Sequence, residues 1–263
     1  MADHQGSFQG EAYQPQEEIY FNDGREIELL HFIYGHPLLE VMRGNPQKVL
    51  DAIDKYGKTR KYLMNIGEYK SKTVTNLIRK EKPHIVVELG GYVGYSAIAF
   101  GKALRDAGGG RYYSLEMNPE FAAVISSLVD LAGLSDIVKV VVGPSATSIE
   151  RLFKEGALDH IDLLFLDHYK PAYVSDLKLC EELGLISMGT ISVADNIVKP
   201  GNPPYLEYVR STVEEKRGRA VNHNEKTPRG NPNLVYDSQF VEGWEPSGVP
   251  DAIEITRCVG VES

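Results

Sequence analysis

Apolar positions change their spacing along this 263-residue chain. Between Arg25 and Lys80 they recur every three or four residues: Ile27, Leu30 and Ile33, then Val49, Ile53 and Tyr56, then a third run from about Lys70 to Lys80. That period predicts amphipathic helices, with Gly35-His36-Pro37 as a break and Asn45-Pro46 as N-cap and first helical residue of the second. From Ile85 the pattern turns into short apolar blocks separated by helical stretches. Ile85–Leu89, Tyr112–Met117, Val138–Val142, Ile161–Leu166 and Thr190–Val193 read as strands. Helices are expected from Tyr95, from Asn118-Pro119 to a stop at Gly133, and near Ser145–Lys154, Pro171–Leu183 and Pro203–Glu215. Near-continuous apolar strands imply a parallel sheet covered on both faces. Leu234–Phe240 and Ala252–Cys258 leave no room for a crossover helix between them, so they should pair antiparallel. The fold class is α/β: a mostly parallel, Rossmann-like seven-stranded sheet with helices on both faces and a C-terminal antiparallel hairpin. One domain spans 25–263, with helices over 25–82 and the sheet core over 83–263. Residues 1–24 lack periodicity and read as a flexible tail.

Composition narrows the classes of function. The formal net charge is −9 and the basic residues are dispersed, which excludes a phosphate-tracking surface and hence nucleic acid as a partner. No apolar run approaches the roughly 20 residues that cross a bilayer, and no basic-then-apolar leader is present. The two cysteines, Cys180 and Cys258, form no C-x-x-C pair and read as buried thiols. A cytoplasmic monomer acting on a small molecule is expected. His31 and His36 stand five residues apart, on different faces of a helix, so they are not a metal pair. The charged stretch from Arg210 to Gly230 reads as a solvated mobile loop.

Chemistry concentrates at the strand ends, where an open parallel sheet binds its ligands. The first strand breaks into Glu88-Leu89-Gly90-Gly91-Tyr92-Val93-Gly94, a turn that brings backbone close under a ligand. Its spacing is not G-x-G-x-x-G, and Glu88 would repel a pyrophosphate. The second strand ends at Glu116, suited to accept both hydroxyls of a ribose. The third leads to Ser145, the fourth to Asp167-His168-Tyr169-Lys170, the fifth to Asp195-Asn196. Any one of these is explained by a helix cap or a turn. Four acidic strand ends out of five along one edge repel one another unless cations or hydroxyls lie among them. Asp167, Asp195 and Asn196 make an all-oxygen set of the kind that suits Mg²⁺. Lys170, three residues beyond Asp167, shares the mouth of that set and is the candidate base.

Several stretches in order resemble the catechol O-methyltransferase family: Met64-Asn65-Ile66-Gly67, Glu88 to Ser96, Glu116-Met117-Asn118-Pro119, Phe165 to Lys170, and Ala194-Asp195-Asn196. The likeness runs from about Arg25 to Cys258. It implies a methyl transfer from S-adenosylmethionine to a catechol hydroxyl, assisted by Mg²⁺. By the same resemblance Ile66, Glu88, Gly90, Tyr92 and Ser96 surround the methionine part of that cofactor, and Glu116 holds the ribose. Met117 and His168 line the adenine, and Ser145 is another cofactor contact. Asp167, which also borders the cofactor, ligates Mg²⁺ with Asp195 and Asn196. Lys170 is the base and Glu242 anchors the second hydroxyl, so both count as catalytic. Met64, Lys170, Asn196, Pro200 and Glu242 bound the substrate. Tyr62 and Tyr169 stand where the family commonly has tryptophan, and Ala146 replaces a cofactor-touching glutamine. A relative acting on phenylpropanoid esters of coenzyme A is the nearest alternative, and a nicotinamide-dependent oxidoreductase a more distant one.

Overall fold

The computed structural model describes residues 7–17, 22–221 and 227–263. Helices α1 (Arg25–Tyr34), α2 (Leu39–Met42), α3 (Pro46–Thr59) and α4 (Gly67–Glu81) precede the sheet. Then β1 (Ile85–Leu89), β2 (Arg111–Glu116), β3 (Val138–Val142), β4 (Leu163–Leu166) and β5 (Ile191–Ala194) pair parallel. They alternate with α5 (Tyr95–Asp106), α6 (Pro119–Leu131), α7 (Ser145–Lys154), α8 (Tyr173–Glu182) and α9 (Pro203–Arg210). A further helix, α10 (Val213–Val221), leads to β6 (Leu234–Trp244) and β7 (Pro250–Val261). β7 is antiparallel to both β5 and β6, completing a seven-stranded sheet in the order β3-β2-β1-β4-β5-β7-β6. The winding reverses between β1 and β4, which opens a crevice at their carboxyl ends.

Alternate strand residues face opposite ways, so each buried strand supplies two cores. Val86, Tyr112, Val138, Leu163 and Phe165 pack with α1 and α3 to α6. Val87, Tyr113, Val141, Leu164 and Leu166 pack with α7 to α9. The caps read from the sequence form: Asn45 Oδ1 accepts from Lys48 N at 3.3 Å and Asn118 Oδ1 from Glu120 N at 2.9 Å. β4 begins two residues later than expected. Asp162 turns its carboxylate onto the N–H groups of His84 and Ile85, at 2.8 Å each, instead of extending the strand.

Two expectations are corrected. The stretch after Arg210 is not one mobile loop. Thr212 and Glu215 form a reciprocal cap, with Thr212 N donating to Glu215 Oε2 at 2.8 Å and Glu215 N to Thr212 Oγ1 at 3.2 Å, which starts α10. Lys216 of that helix is buried and donates to the Leu234 carbonyl; residues 222–226 lie outside the described residues. The N-terminal segment is not loose over 7–17. Tyr13 is buried, its ring lies against Gly57 of α3, and its N–H donates to the Pro246 carbonyl at 2.9 Å. Gln14 N donates to the Gly57 carbonyl at 2.9 Å. One buried ring contributes about 2 kcal/mol, enough to hold a short segment across the domain. Among the described residues no helix is long and apolar enough to cross a membrane.

Candidate active site

The turn after β1 is shaped by its neighbours. Gly90 has φ +91°, and a Cβ there would come within 2.5 Å of the Asp167 carbonyl oxygen, so β1 and β4 approach more closely than any side chain allows. Glu116, ending β2, ties the turn down: Oε2 accepts from Gly91 N at 3.1 Å and Tyr92 N at 3.0 Å, and Oε1 from Asn118 N at 2.8 Å. Tyr92 sits at φ +49° and donates through Oη to Glu26 Oε1 at 2.8 Å. The expected ribose ligand is therefore fixed by backbone before any ligand arrives.

Glu88 lies fully buried beneath this turn. Ser114 Oγ donates to its Oε2 at 2.5 Å, while Oε1 has no hydrogen-bond partner. Burial pushes the carboxyl up to about 7, against the opposing pull of the Ser114, Ser96 and Tyr112 hydroxyls. A buried carboxylate oxygen without a donor is costly unless a ligand supplies one. Ser96, at the start of α5, is buried beside it, and Ile66 is buried at the start of α4.

His168 and Ser145 converge on a residue the sequence reading did not single out. His168 Nε2 lies 2.8 Å from Asp176 Oδ2, and Ser145 Oγ donates to the same oxygen at 2.5 Å. The imidazole stacks on Tyr173, centroids 4.9 Å apart, and its Nδ1 is buried without a partner. Met117 and Tyr169 are largely exposed, as rims rather than walls. Ala146 is half-buried at the start of α7.

The chemical centre lies at the ends of β4 and β5. Lys170 Nζ donates to Asn196 Oδ1 at 2.7 Å and Tyr173 Oη at 2.7 Å, and pairs with Asp167 Oδ1 at 3.3 Å. On the other side of Asp195 stands Lys70, buried among three carboxylates: Asp195 Oδ1 at 2.7 Å, Glu245 Oε1 at 2.5 Å and Asp251 Oδ2 at 2.6 Å. The Asp195 contact is an ion pair without hydrogen-bond alignment. Asn196, held at φ +58°, joins the two halves: its Nδ2 donates to Glu245 Oε1 at 2.7 Å and its Oδ1 accepts from Lys170. Burial pulls the Lys70 ammonium down, but the three carboxylates more than reverse that and hold it charged. Burial, then the charge of Asp195, push Asp167 up to about 7. Glu245 is likewise raised, by burial first and only partly relieved by Lys70.

The Asp167 and Glu245 shifts come first from burial, and the cluster also carries an excess of negative charge. Four carboxylates (Asp167, Asp195, Glu245, Asp251) face two ammonium groups (Lys70, Lys170), leaving two formal negative charges when all are ionised. Hard oxygen donors with that imbalance fit a divalent cation such as Mg²⁺. Asp195, Glu245 and Asp251 place ligand oxygens within 4.8 Å of one another, but Lys70 already contacts all three. Asp195 is also a member of the set expected from the sequence, whose other two members, Asp167 Oδ1 and Asn196 Oδ1, are contacted by Lys170.

One expected residue is not brought here. Glu242 is exposed on β6, opposite Ala252. Strand alternation turns it away from the face on which Gly243 meets the Lys70 side chain, where a Cβ would lie 2.8 Å from Lys70 Cγ. Glu245, three residues on, occupies the place beside Asn196 and accepts from Tyr62 Oη at 3.4 Å. Met64 and Pro200 are exposed, and Pro200 follows Lys199 through a cis peptide bond. Lys70, Glu245, Asp251 and Asp176 were missed. Lys70 carried a signal: with Val74 and Ile78 it makes an i, i+4, i+8 series on the buried face of α4.

The sheet order, the terminal hairpin and the acidic ends of β1 and β2 define a Rossmann-like methyltransferase. A family model described as O-methyltransferase matches residues 45–219. The chain is 39% identical to catechol O-methyltransferase of Bos taurus over 196 residues, covering 74% of this chain and 70% of that protein. It is 38% identical to the Mus musculus enzyme over 199 residues, covering 76% and 73%. An O-methyltransferase structure from Bacillus cereus in complex with SAH shares the fold, with TM-score 0.59 and 19% identity over 81% of this chain and 90% of that one. The chain belongs to the O-methyltransferase family and is an enzyme that moves a methyl group to oxygen.

Proposed function

We propose that this enzyme transfers the methyl group of S-adenosylmethionine to one hydroxyl of a catechol, with Mg²⁺ held by Asp167, Asp195 and Asn196. The observation that carries the reading is Lys170: its amine lies between Asp167 and Asn196, in contact with two members of the oxygen set. The catechol O-methyltransferase names of its relatives agree with that acceptor. When bound, S-adenosylmethionine supplies an electrophilic methyl on a sulfonium, and Mg²⁺ acidifies the acceptor hydroxyls.

The protein contributes place and charge. Glu88 offers its unpartnered oxygen to the ammonium of the methionine part, and Glu116, already fixed by three backbone N–H groups, accepts from the ribose. His168, held by Asp176 and stacked on Tyr173, walls the adenine side, with Met117 at its rim, and Ser145 shares the same anchor. Lys170, as the neutral amine, takes the proton of the hydroxyl to be methylated, and the ammonium so formed is held by Asn196 Oδ1 and Tyr173 Oη. Glu245, not Glu242, accepts from the second hydroxyl. Holding the acceptor oxygen beside the methyl removes several kcal/mol of the barrier, on the order of what well-oriented intramolecular reactions gain. Buried free Cys180 and Cys258 agree with work in a reducing compartment.

Glu88 gives a pH test. Its carboxyl is raised from 4.5 to about 7, so the ligand-free fold favours the protonated form. The stability this gives is fully present below the unfolded value and is lost as pH rises through the folded one. Cofactor binding needs the ionised form, so it runs the opposite way. The Kd for S-adenosylhomocysteine, read by calorimetry, should rise about tenfold between about pH 8 and about pH 6, following the ionised fraction of one group near 7. Glu88→Gln should weaken binding and flatten the profile. A profile as steep in the variant as in the wild type assigns the titration to another group.

The function itself is tested with labelled S-adenosylmethionine against a panel of catechols and phenylpropanoid esters of coenzyme A. Labelled catechols and unlabelled thioesters are expected. Transfer to thioesters alone would place the enzyme with the alternative acceptor.

A further inference from the structure

A second cleft adjoins the active site, of about 460 Å³ and lined by Tyr13, Pro15, Gln16, Lys199, Ser247 and Val249. Three separate stretches of chain build it. The N-terminal segment is pinned by Tyr13 N to the Pro246 carbonyl at 2.9 Å, and by Tyr13 Oη to Asp54 Oδ1 at 2.5 Å. The turn after β6 is closed by Glu245 N donating to the Val249 carbonyl at 2.8 Å, and Ser247 Oγ donates to Gln16 Oε1 at 2.9 Å across the cleft. The third wall is Lys199, whose backbone N–H donates to Asp251 Oδ1 at 2.8 Å.

Those same anchors tie the cleft to the chemical centre. Glu245 and Asp251, which fix two of its walls, are two of the three carboxylates around Lys70, and Asn196 donates to Glu245 at 2.7 Å. Tyr13 meets Tyr62 edge to face, centroids 6.3 Å apart, and Tyr62 Oη reaches Glu245 Oε2 at 3.4 Å. An acceptor seated by its hydroxyls at Asn196 and Glu245 therefore has this cleft as its neighbour.

The charge there has one sign. Lys199 is the only charged side chain among the six lining residues, is half-buried, and makes no ion pair among the described residues. Asp251 behind it is already engaged by Lys70 and by the Val198 and Lys199 N–H groups. In a chain of net charge −9, a half-buried lysine without a carboxylate partner among the described residues is a binding group for an anion supplied from outside. Its companions are an amide, a hydroxyl and the faces of Tyr13, Pro15 and Val249, which suit a short carbon chain ending in a charge.

We infer that this cleft is an acceptor subsite that selects catechols carrying a carboxylate on a short side chain, with Lys199 as the specificity-determining residue. The inference rests on the catechol reading above. Its test is the ratio of kcat/KM for 3,4-dihydroxyphenylacetate to that for 3,4-dihydroxyphenethylamine. The ratio cancels any loss of folding or turnover common to both substrates. The wild type favours the acid. Lys199→Met lowers the ratio several-fold and Lys199→Glu by at least about tenfold, since each charge step at a partly exposed site is worth a few-fold. Calorimetric binding of the acid to the protein with Mg²⁺ and S-adenosylhomocysteine weakens in the same order, independently of turnover. A ratio unmoved by Lys199→Glu, in an enzyme that methylates unsubstituted catechol, overturns the subsite and leaves the reaction standing. Absence of transfer to every catechol overturns both.

Discussion

Lys170→Ala is expected to lower kcat by about two to four orders of magnitude, the range for losing a positioned proton acceptor. The Kd for S-adenosylhomocysteine should stay within about twofold, because Lys170 touches Asp167, Tyr173 and Asn196 and none of the groups around Glu88 or Glu116. Mg²⁺ should bind at least as well, since the substitution removes one of two ammonium groups facing four carboxylates. These readouts separate a base from a scaffold. A residue that merely held Asp167 and Asn196 in place would lose metal affinity along with rate. Single-turnover rates beside calorimetric titrations of cofactor and metal decide the matter. Loss of rate matched by loss of Mg²⁺ affinity would make Lys170 a positioning residue.

The second large effect falls on stability. Lys70→Met should lower the unfolding free energy by about 3–5 kcal/mol, the cost of leaving buried charges without their partner. For a domain of this size that is a fall in Tm of about 10 °C. Lys70 contacts Asp195, Glu245 and Asp251 within 2.7 Å, and all four side chains are almost wholly buried. Its ammonium is held above the ordinary lysine value, so its contribution is complete at neutral pH and fades only as pH rises through that raised value. In the variant the orphaned carboxylates escape by taking protons, so the deficit should shrink as pH falls. Thermal unfolding at several pH values checks both statements. A Tm within a degree or two of wild type would mean that the three carboxylates do not depend on Lys70.

The same cluster shows where sequence reasoning reached and where it stopped. The parallel strands were legible as near-continuous apolar blocks because both their faces are buried, and most helices by a 3.6-residue period because one face is. Asp167, Lys170, Asp195 and Asn196 were legible because sheet topology alone gathers strand ends. The partners of those residues come from elsewhere. Glu245 and Asp251 flank the β6–β7 turn, and only the register of that hairpin shows that Glu242 faces away. Asp176 lies in the first turn of α8, and its role as the common anchor of His168 and Ser145 has no local signature. α10 was readable, since Thr212 and Glu215 have capping-box spacing, yet its charge count argued for a loop. Residues 7–17 lack periodicity because they pack as a strap, one ring at a time, and Tyr13 gains its burial from Gly57 on another element.

The central claim is that oxygens from β4 and β5 hold a divalent cation beside a methyl donor and an amine base. It is tested most directly by methyl transfer from labelled S-adenosylmethionine to catechol, measured with added Mg²⁺ and with excess chelator, alongside cofactor binding under both conditions. The account predicts transfer with Mg²⁺ and its collapse under chelation, while S-adenosylhomocysteine still binds. Transfer that proceeds at the same rate with the chelator present would contradict it.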